Sequence, residues 1–328
     1  MKSLILNAIL SFCVFWGISC TQNYNIDSDL KDSFTPKVVV NSIICPDSLI
    51  RVKCYWSRRY DEAKDFEAVE VFSGELREER NTIATFKDIS GEILLDRYPV
   101  AGKTYELRIT VPDYDEVRAS TYVPLPPGAT VSYKESRGGF MLYHHFNISA
   151  ISQQEPGRAV WITTHALWGE SMLRDGYTYY CNNPFLDQLN AANDEMDNVA
   201  SGSNVSHDRF IRIPSKNICL AGDISFSFMA SDTQTYYPPN PDPEDWDWSQ
   251  REEWPLTYLY VNVIAPSDDY DKYFRSLYKQ ELYNYDPDMP LFDETVNVYS
   301  NIENGLGIFA GYSAATYAHK YETEEGEE

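Results

Sequence analysis

The chain has 328 residues, enough for about two domains once an export segment is set aside. Hydrophobic residues make up 43% and charged residues 23%, a balance that supports a buried core and excludes broad disorder. Lys+Arg is 27 and Asp+Glu is 50, so the formal charge is −23. That charge argues against a nucleic-acid role, and it means that any membrane attachment needs an anchor other than charge.

In chain order, Lys2 supplies a positive n-region and Leu4 to Trp16 a short apolar h-region. The apolar run is too short to span a bilayer. Gly17-Ile18-Ser19-Cys20 follows, with a small residue just before a Cys, which resembles a bacterial lipobox. Residues 1–19 are therefore expected to be a lipoprotein signal peptide and Cys20 the lipidated first residue of the mature chain. Residues 20–35 read as a polar, flexible tether.

Residues 36–123 carry about seven short strands. They are Lys37 to Ile44, Leu49 to Trp56, Ala68 to Phe72, Ile83 to Phe86, Ile93 to Leu95, Thr104 to Val111 and Arg118 to Val123. Turn residues stand between them at sandwich-like intervals, and the pattern predicts an immunoglobulin-like β-sandwich. Three prolines within residues 124–128 end that domain and form a stiff linker. Residues 129–321 read as a second β-rich domain with one late α-helix, so the chain as a whole is expected to be mainly β. Leu256 to Ile264 is its strongest strand. The helix runs from Asp268 to about Tyr283, with Ser267 as its cap and Tyr270, Phe274, Leu277, Tyr278 and Leu282 on one buried face. Val296 to Tyr299 and Gly307 to Phe309 are read as a final strand pair. Residues 322–328 form an acidic tail. The 25 Tyr, 15 Phe and 7 Trp residues fit this β-rich reading and favour binding surfaces.

Four cysteines remain beyond the export segment and its Cys20: Cys45, Cys54, Cys181 and Cys219. An even number in an exported chain allows two disulfides in any of three connectivities. Cys45 and Cys54 flank a turn across which they could pair, and Cys181 and Cys219 bracket an insertion whose base they could staple. The other reading is four buried thiols. No Cys-x₂-Cys spacing points to zinc.

Together, the lipobox, the sandwich, the Pro-rich joint and the late helix, in this order, resemble the Bacteroidota lipoproteins grouped as domain-of-unknown-function family 4249. The most specific residues are Val298-Tyr299-Ser300-Asn301-Ile302, then Gly305-Leu306-Gly307-Ile308-Phe309 and Gly311. Pro36 to Asn41 and Ser267 to Tyr273 fit as well. The chain departs from the family in the acidic, Trp-bearing loop before Leu256 and in the insertion after Cys181. The resemblance implies an outer-membrane envelope lipoprotein, of a kind often encoded beside TonB-dependent transporters. It brings no established catalytic residue to transfer.

Chemistry-bearing motifs are sparse. There is no Gly-x-Ser-x-Gly elbow, no His-Glu-x-x-His and no Walker or dinucleotide fingerprint. His144, His145, His165, His207 and His319 are scattered, and Asp242, Glu244, Asp245 and Asp247 lack the EF-hand pattern. No cofactor and no metal are expected. The segment from Tyr236 to Pro255 is read as a loop, because prolines interrupt it. Its Tyr236, Tyr237, Trp246, Trp248 and Trp254 are candidates for partner contact, with packing onto their own domain as the alternative. The functional expectation is a non-enzymatic accessory or substrate-capture lipoprotein of a TonB-dependent outer-membrane transporter. The alternatives are a surface glycan-active hydrolase and a structural or adhesive surface protein.

Overall fold

The computed structural model describes residues 34–58, 66–138, 141–153, 155–170, 172–189, 191–193, 205–236, 251–285 and 297–321. One compact unit holds Lys37–Ser57 and Asp65–Glu328. A second unit holds Met1–Pro36 and Arg58–Lys64, of which residues 34–36 and 58 are described.

The protein is mainly β, and its apolar residues define two separate cores. Strands β1 (Val38–Ile44), β2 (Ile50–Trp56), β3 (Phe72–Glu78), β4 (Asn81–Ile89), β5 (Glu92–Leu95), β6 (Lys103–Thr110) and β7 (Val117–Val123) build the first sandwich. In β1, β6 and β7 buried positions alternate with more exposed ones, as a strand with one core face requires. One layer has the order β4-β3-β6-β7, and β1-β2-β5 belongs to the other. Val38, Val40, Val52, Phe72, Leu76, Tyr105 and Ile109 meet between them.

The sequence pattern places the third strand at Ala68 to Phe72, but β3 starts at Phe72 and runs on through Ser73-Gly74, two turn-forming residue types. Gly74 sits inside the strand because a Cβ there would lie 2.2 Å from the Arg108 carbonyl oxygen and against the Phe86 ring. Here glycine marks close approach within a sheet, not a turn.

The second sandwich follows a connection through Pro124 to Pro127. Its strands are β8 (Gly128–Gly138), β9 (Met141–Ser152), β10 (Val160–Trp168), β11 (Met172–Arg174), β12 (Thr178–Tyr180), β13 (Ala191–Asn193), β14 (Val205–Asp208) and β15 (Ile211–Ile213). A short helix α1 (Ile218–Ala221) leads to β16 (Ile224–Met229), β17 (Thr233–Tyr236), β18 (Glu252–Pro266), the long helix α2 (Asp268–Tyr285) and β19 (Leu306–Lys320). One sheet is β13-β14-β12-β16-β9-β8. Facing it are β10, β11, β15, β17, β18 and the second half of β19. Ile148, Ile162, Trp168, Tyr179, Phe228, Val261 and Val263 fill the space between.

Strand β19 links the two sandwiches. Leu306 to Gly311 pair with β1 in parallel, and Tyr312 to Lys320 pair with β18 antiparallel. A nine-stranded sheet therefore runs continuously through both halves. The expected Val296 to Tyr299 strand is not formed over its described residues 297–299, and the partners of Gly307 to Phe309 lie in β1. Residues 297–305 instead lie along the joint. Asn301 bonds both main-chain groups of Phe309: its Oδ1 accepts from the N–H at 3.0 Å, and its Nδ2 donates to the carbonyl at 2.7 Å. Gly307 has φ +100°, and a Cβ there would lie 2.0 Å from the Val40 carbonyl oxygen. Only glycine fits that position.

Candidate functional site

The described structure offers an open groove of about 820 Å³ on the outer face of the β10-β18-β19 sheet. Strand alternation makes its floor. In β18, Leu259, Val261 and Val263 are fully buried in the core, so Tyr260 and Asn262 point out. In β10, Thr164 and Ala166 point in, and Thr163, His165 and Leu167 point out. The register aligns Thr163, Asn262 and Thr316 in one row across three strands, and His165, Tyr260 and Ala318 in the next. Thr316 Oγ1 donates to Asn262 Oδ1 at 2.8 Å, and Asn262 Nδ2 donates to Thr163 Oγ1 at 3.5 Å. The floor is a polar ladder flanked by aromatic rings.

Helix α2 closes one end of this face. Ser267 caps it, its Oγ accepting the Tyr270 N–H at 3.1 Å, and Asp268, Asp269 and Asp271 occupy the first turn. Phe274 and Tyr278 join a third apolar cluster with Trp161, Phe210, Ile264, Tyr312 and Ala314. Tyr270 packs against Trp161, Phe274 and Tyr312. Leu277, expected on the buried face, is half-buried and belongs to none of the apolar clusters. A charged clamp fixes the helix. Arg212 donates to both Asp271 oxygens at 2.8 and 2.7 Å and to Asp187 at 2.6 Å, and the Trp161 Nε1–H reaches Asp271 at 2.7 Å. Burial opposes the Arg212 charge, but Asp271 and Asp187 outweigh it and hold the guanidinium above its ordinary value.

The groove walls come from distant segments. Cys45 and Asp47 stand on the β1–β2 turn, and Glu170, Leu173 and Asp175 on and beside the β10–β11 hairpin. Arg209 comes from the β14–β15 turn, Tyr270 from α2 and Tyr312 from β19. Burial lowers the His165 pKa, with Asp175 pulling the other way, and His165 Nδ1 is buried without a hydrogen-bond partner. Burial also raises the Tyr270 and Tyr312 hydroxyls, which keeps them protonated as donors.

The expected site residues are dispersed. Cys20, Tyr237, Trp246 and Trp248 lie outside the described residues. Tyr236 ends β17, its backbone paired with Glu252. Trp254 is in strand β18, not in a loop. Its Nε1 donates to Glu252 at 2.9 Å, and its ring lies over Gly169 and packs on the second core. Pro255 is tolerated there because the pairing strand β17 is short and the Pro255 carbonyl still accepts the Gly169 N–H.

The two disulfides are not formed: Cys45, Cys54, Cys181 and Cys219 are all free. The hairpin register explains the first pair. Cys54 faces Val40, five residues before Cys45, a separation on the order of 15 Å where a disulfide needs under about 7 Å. Cys181 is buried and Cys219 is exposed on α1. Burial pushes the Cys54 and Cys181 thiols up to about 12, so both stay protonated. Among the described residues no group of three His, Cys, Asp or Glu is placed to hold a metal ion, and no helix is long and apolar enough to cross a membrane.

The groove residues were missed as a group in the sequence. Their signal was the outward half of Leu256 to Ile264, where Tyr258, Tyr260 and Asn262 alternate with core residues.

Comparison with known proteins adds a family. Among curated proteins none matches the chain. A solved structure, the collagen-binding domain of the Erysipelothrix rhusiopathiae surface protein RspB, is 8% identical. It aligns over 86% of this chain and 96% of its own, with a TM-score of 0.16, too low to inform fold or ligand. The family model described as domain of unknown function DUF4249 matches residues 23–318, so the chain belongs to that family.

Proposed function

We propose that this member of the family is a lipid-anchored outer-membrane lipoprotein that captures a ligand for a TonB-dependent transporter. The observation that carries the capture reading is the groove. A half-buried, aromatic and polar sheet face left open beside a clamped helix is a surface built for contact, and its size is that of a ligand site. The anchor reading rests on the segment Leu4 to Cys20. Acyl chains on Cys20 hold a protein whose charge of −23 would otherwise be repelled by anionic lipid. The transporter partnership rests on the family setting.

The test is affinity purification from detergent-solubilised native membranes. The expected result is co-purification of a TonB-dependent transporter with the wild type, together with loss of acyl label and release from the membrane fraction for Cys20→Ala. A Cys20→Ala protein that stays membrane-bound and labelled removes the anchor. Hydrolysis of oligosaccharides by the purified protein would move the conclusion to the glycan-active alternative, which draws on the carboxylates lining the same groove.

A further inference from the structure

We propose that the groove binds a cationic ligand, a peptide segment bearing lysine or arginine side chains. This deepens the capture reading and rests on it.

Asp47 reaches the groove from the β1–β2 turn, and Glu170 and Asp175 from the β10–β11 hairpin, and none has an ion-pair partner among the described residues. Some carboxylates elsewhere are met by cations, such as Glu92 by Arg51 and Lys53, Glu106 by Arg108, and Asp232 by Arg137, whereas no cation is set against those in the groove among the described residues. Arg209, the one Lys or Arg lining the groove among the described residues, is already committed to Glu281 at 2.6 Å and Asp208 at 3.5 Å. The walls are therefore negative and uncompensated, which fits a positively charged occupant.

The remaining lining fits the same occupant. Tyr260, Tyr270 and Tyr312 supply the aromatic rings that attract ammonium and guanidinium groups. Leu173, 61% exposed at the rim, offers apolar contact to the methylene stem of a long basic side chain. His165 Nδ1 is unpartnered, and burial keeps the ring from competing as a cation. The Thr163-Asn262-Thr316 row presents hydroxyl and amide groups that match main-chain donors and acceptors. Carboxylates on separate walls of a groove this large suit a chain with several charges better than a single small amine.

The experiment titrates the lipidated protein in neutral detergent with end-capped tetra-arginine and tetra-lysine, followed by calorimetry. Side-chain-acetylated tetra-lysine and a neutral oligosaccharide are the comparison probes. One site per chain is expected, with binding that weakens with salt and is absent for the acetylated peptide. The triple variant Asp47→Asn, Glu170→Gln, Asp175→Asn is expected to weaken binding roughly tenfold or more, from contacts worth up to ~1 kcal/mol each. A control that removes the same charge at exposed sites outside the groove, Glu67→Gln, Glu70→Gln and Asp88→Asn, is expected to change affinity less than about twofold, the effect of diffuse charge alone. Zero-length carbodiimide cross-linking of bound tetra-lysine is expected to map to the three groove carboxylates, which supports the site without any variant. Equal losses in both triple variants, an unchanged groove variant, or oligosaccharide binding in place of peptide overturns the proposal. If peptide binding fails while the transporter still co-purifies, the ligand class alone falls. If peptide binds and no transporter co-purifies, the groove stands and the partnership falls.

Discussion

Gly311 is the residue where one strand changes partners. Its N–H reaches Thr121 Oγ1 at 3.0 Å and Ser267 Oγ at 3.3 Å, and its carbonyl accepts the Ser267 N–H at 2.8 Å. A Cβ there would stand 2.5 Å from the Tyr122 carbonyl oxygen and 3.0 Å from Val123 Cγ2. Its φ is not positive, so the requirement for glycine is one of space. Gly311→Ala is expected to destabilise the protein by ~1–3 kcal/mol, the range for overpacking, read as a lower urea midpoint with an unchanged slope. A loss below ~0.5 kcal/mol would mean that β7 yields at this point. His207 makes a different prediction. It is fully buried with neither ring nitrogen bonded, and burial lowers its pKa below the ordinary 6.5, with Asp187 opposing. As pH falls below about 6.5 the unfolded chain takes up a proton that the folded chain refuses, so stability falls on acidification and is unaffected above that pH. Burial lowers His144, His145 and His165 as well, so the effect is shared. His207→Phe is expected to shrink the stability difference between pH 7.5 and pH 5 without abolishing it. An unchanged difference would show that His207 does not titrate against folding.

At the scale of elements, the position of α2 depends on Arg212. Its side chain is 9% exposed, and it holds Asp271 on the helix and Asp187 on the sandwich. Removing one member of a buried ionic cluster strands the others, at ~3–5 kcal/mol. Arg212→Ala is expected near the lower end, because Asp187 keeps Arg275 at 3.1 Å. Arg212→Lys is expected to recover little, since one ammonium cannot reproduce the two-pronged bond to Asp271. Chemical denaturation measures both, and a Lys variant as stable as wild type would reduce the clamp to simple charge. The helix itself was legible in the sequence, because Tyr270, Phe274 and Tyr278 repeat at helical spacing and Ser267 precedes acids. The longer strands were legible through their alternation. Strands β11, β13, β14 and β17 were not, since three or four residues hold little alternation, and unlike the equally short β5, with its apolar Ile93-Leu94-Leu95 run, they carry no such run. Trp254 misled because Pro255 reads as a strand breaker, whereas a short edge pairing accommodates it. The groove was invisible as a unit: Asp47, His165, Arg209, Asn262 and Thr316 meet only after three strands have been set in register.

At the scale of the whole molecule, the Pro124 to Pro127 connection is not the only link between the sandwiches. Ser313 Oγ donates to the Pro124 carbonyl at 2.7 Å, and Tyr317 donates to the Ala129 carbonyl at 2.5 Å, so β19 also ties down the start of the second sandwich. Strands β1 and β18 share this one neighbour, and their unfolding is coupled through it. Hydrogen exchange is expected to give β1 and β18 amides the same opening free energy, within ~1 kcal/mol, and to show one cooperative transition. Two separated values would mean that the sandwiches open independently. The parallel pair of β1 and β19 also has a temporal consequence. Val39 pairs with Leu306, across nearly the whole chain, so β1 waits for residues that emerge from the ribosome hundreds of positions later. Loop closure over that span is slow, and until it happens one edge of β1 stays open to the wrong neighbour. For the export route proposed above, this order leaves the fold unclosed during passage and closes it only once the C-terminal strand has come through.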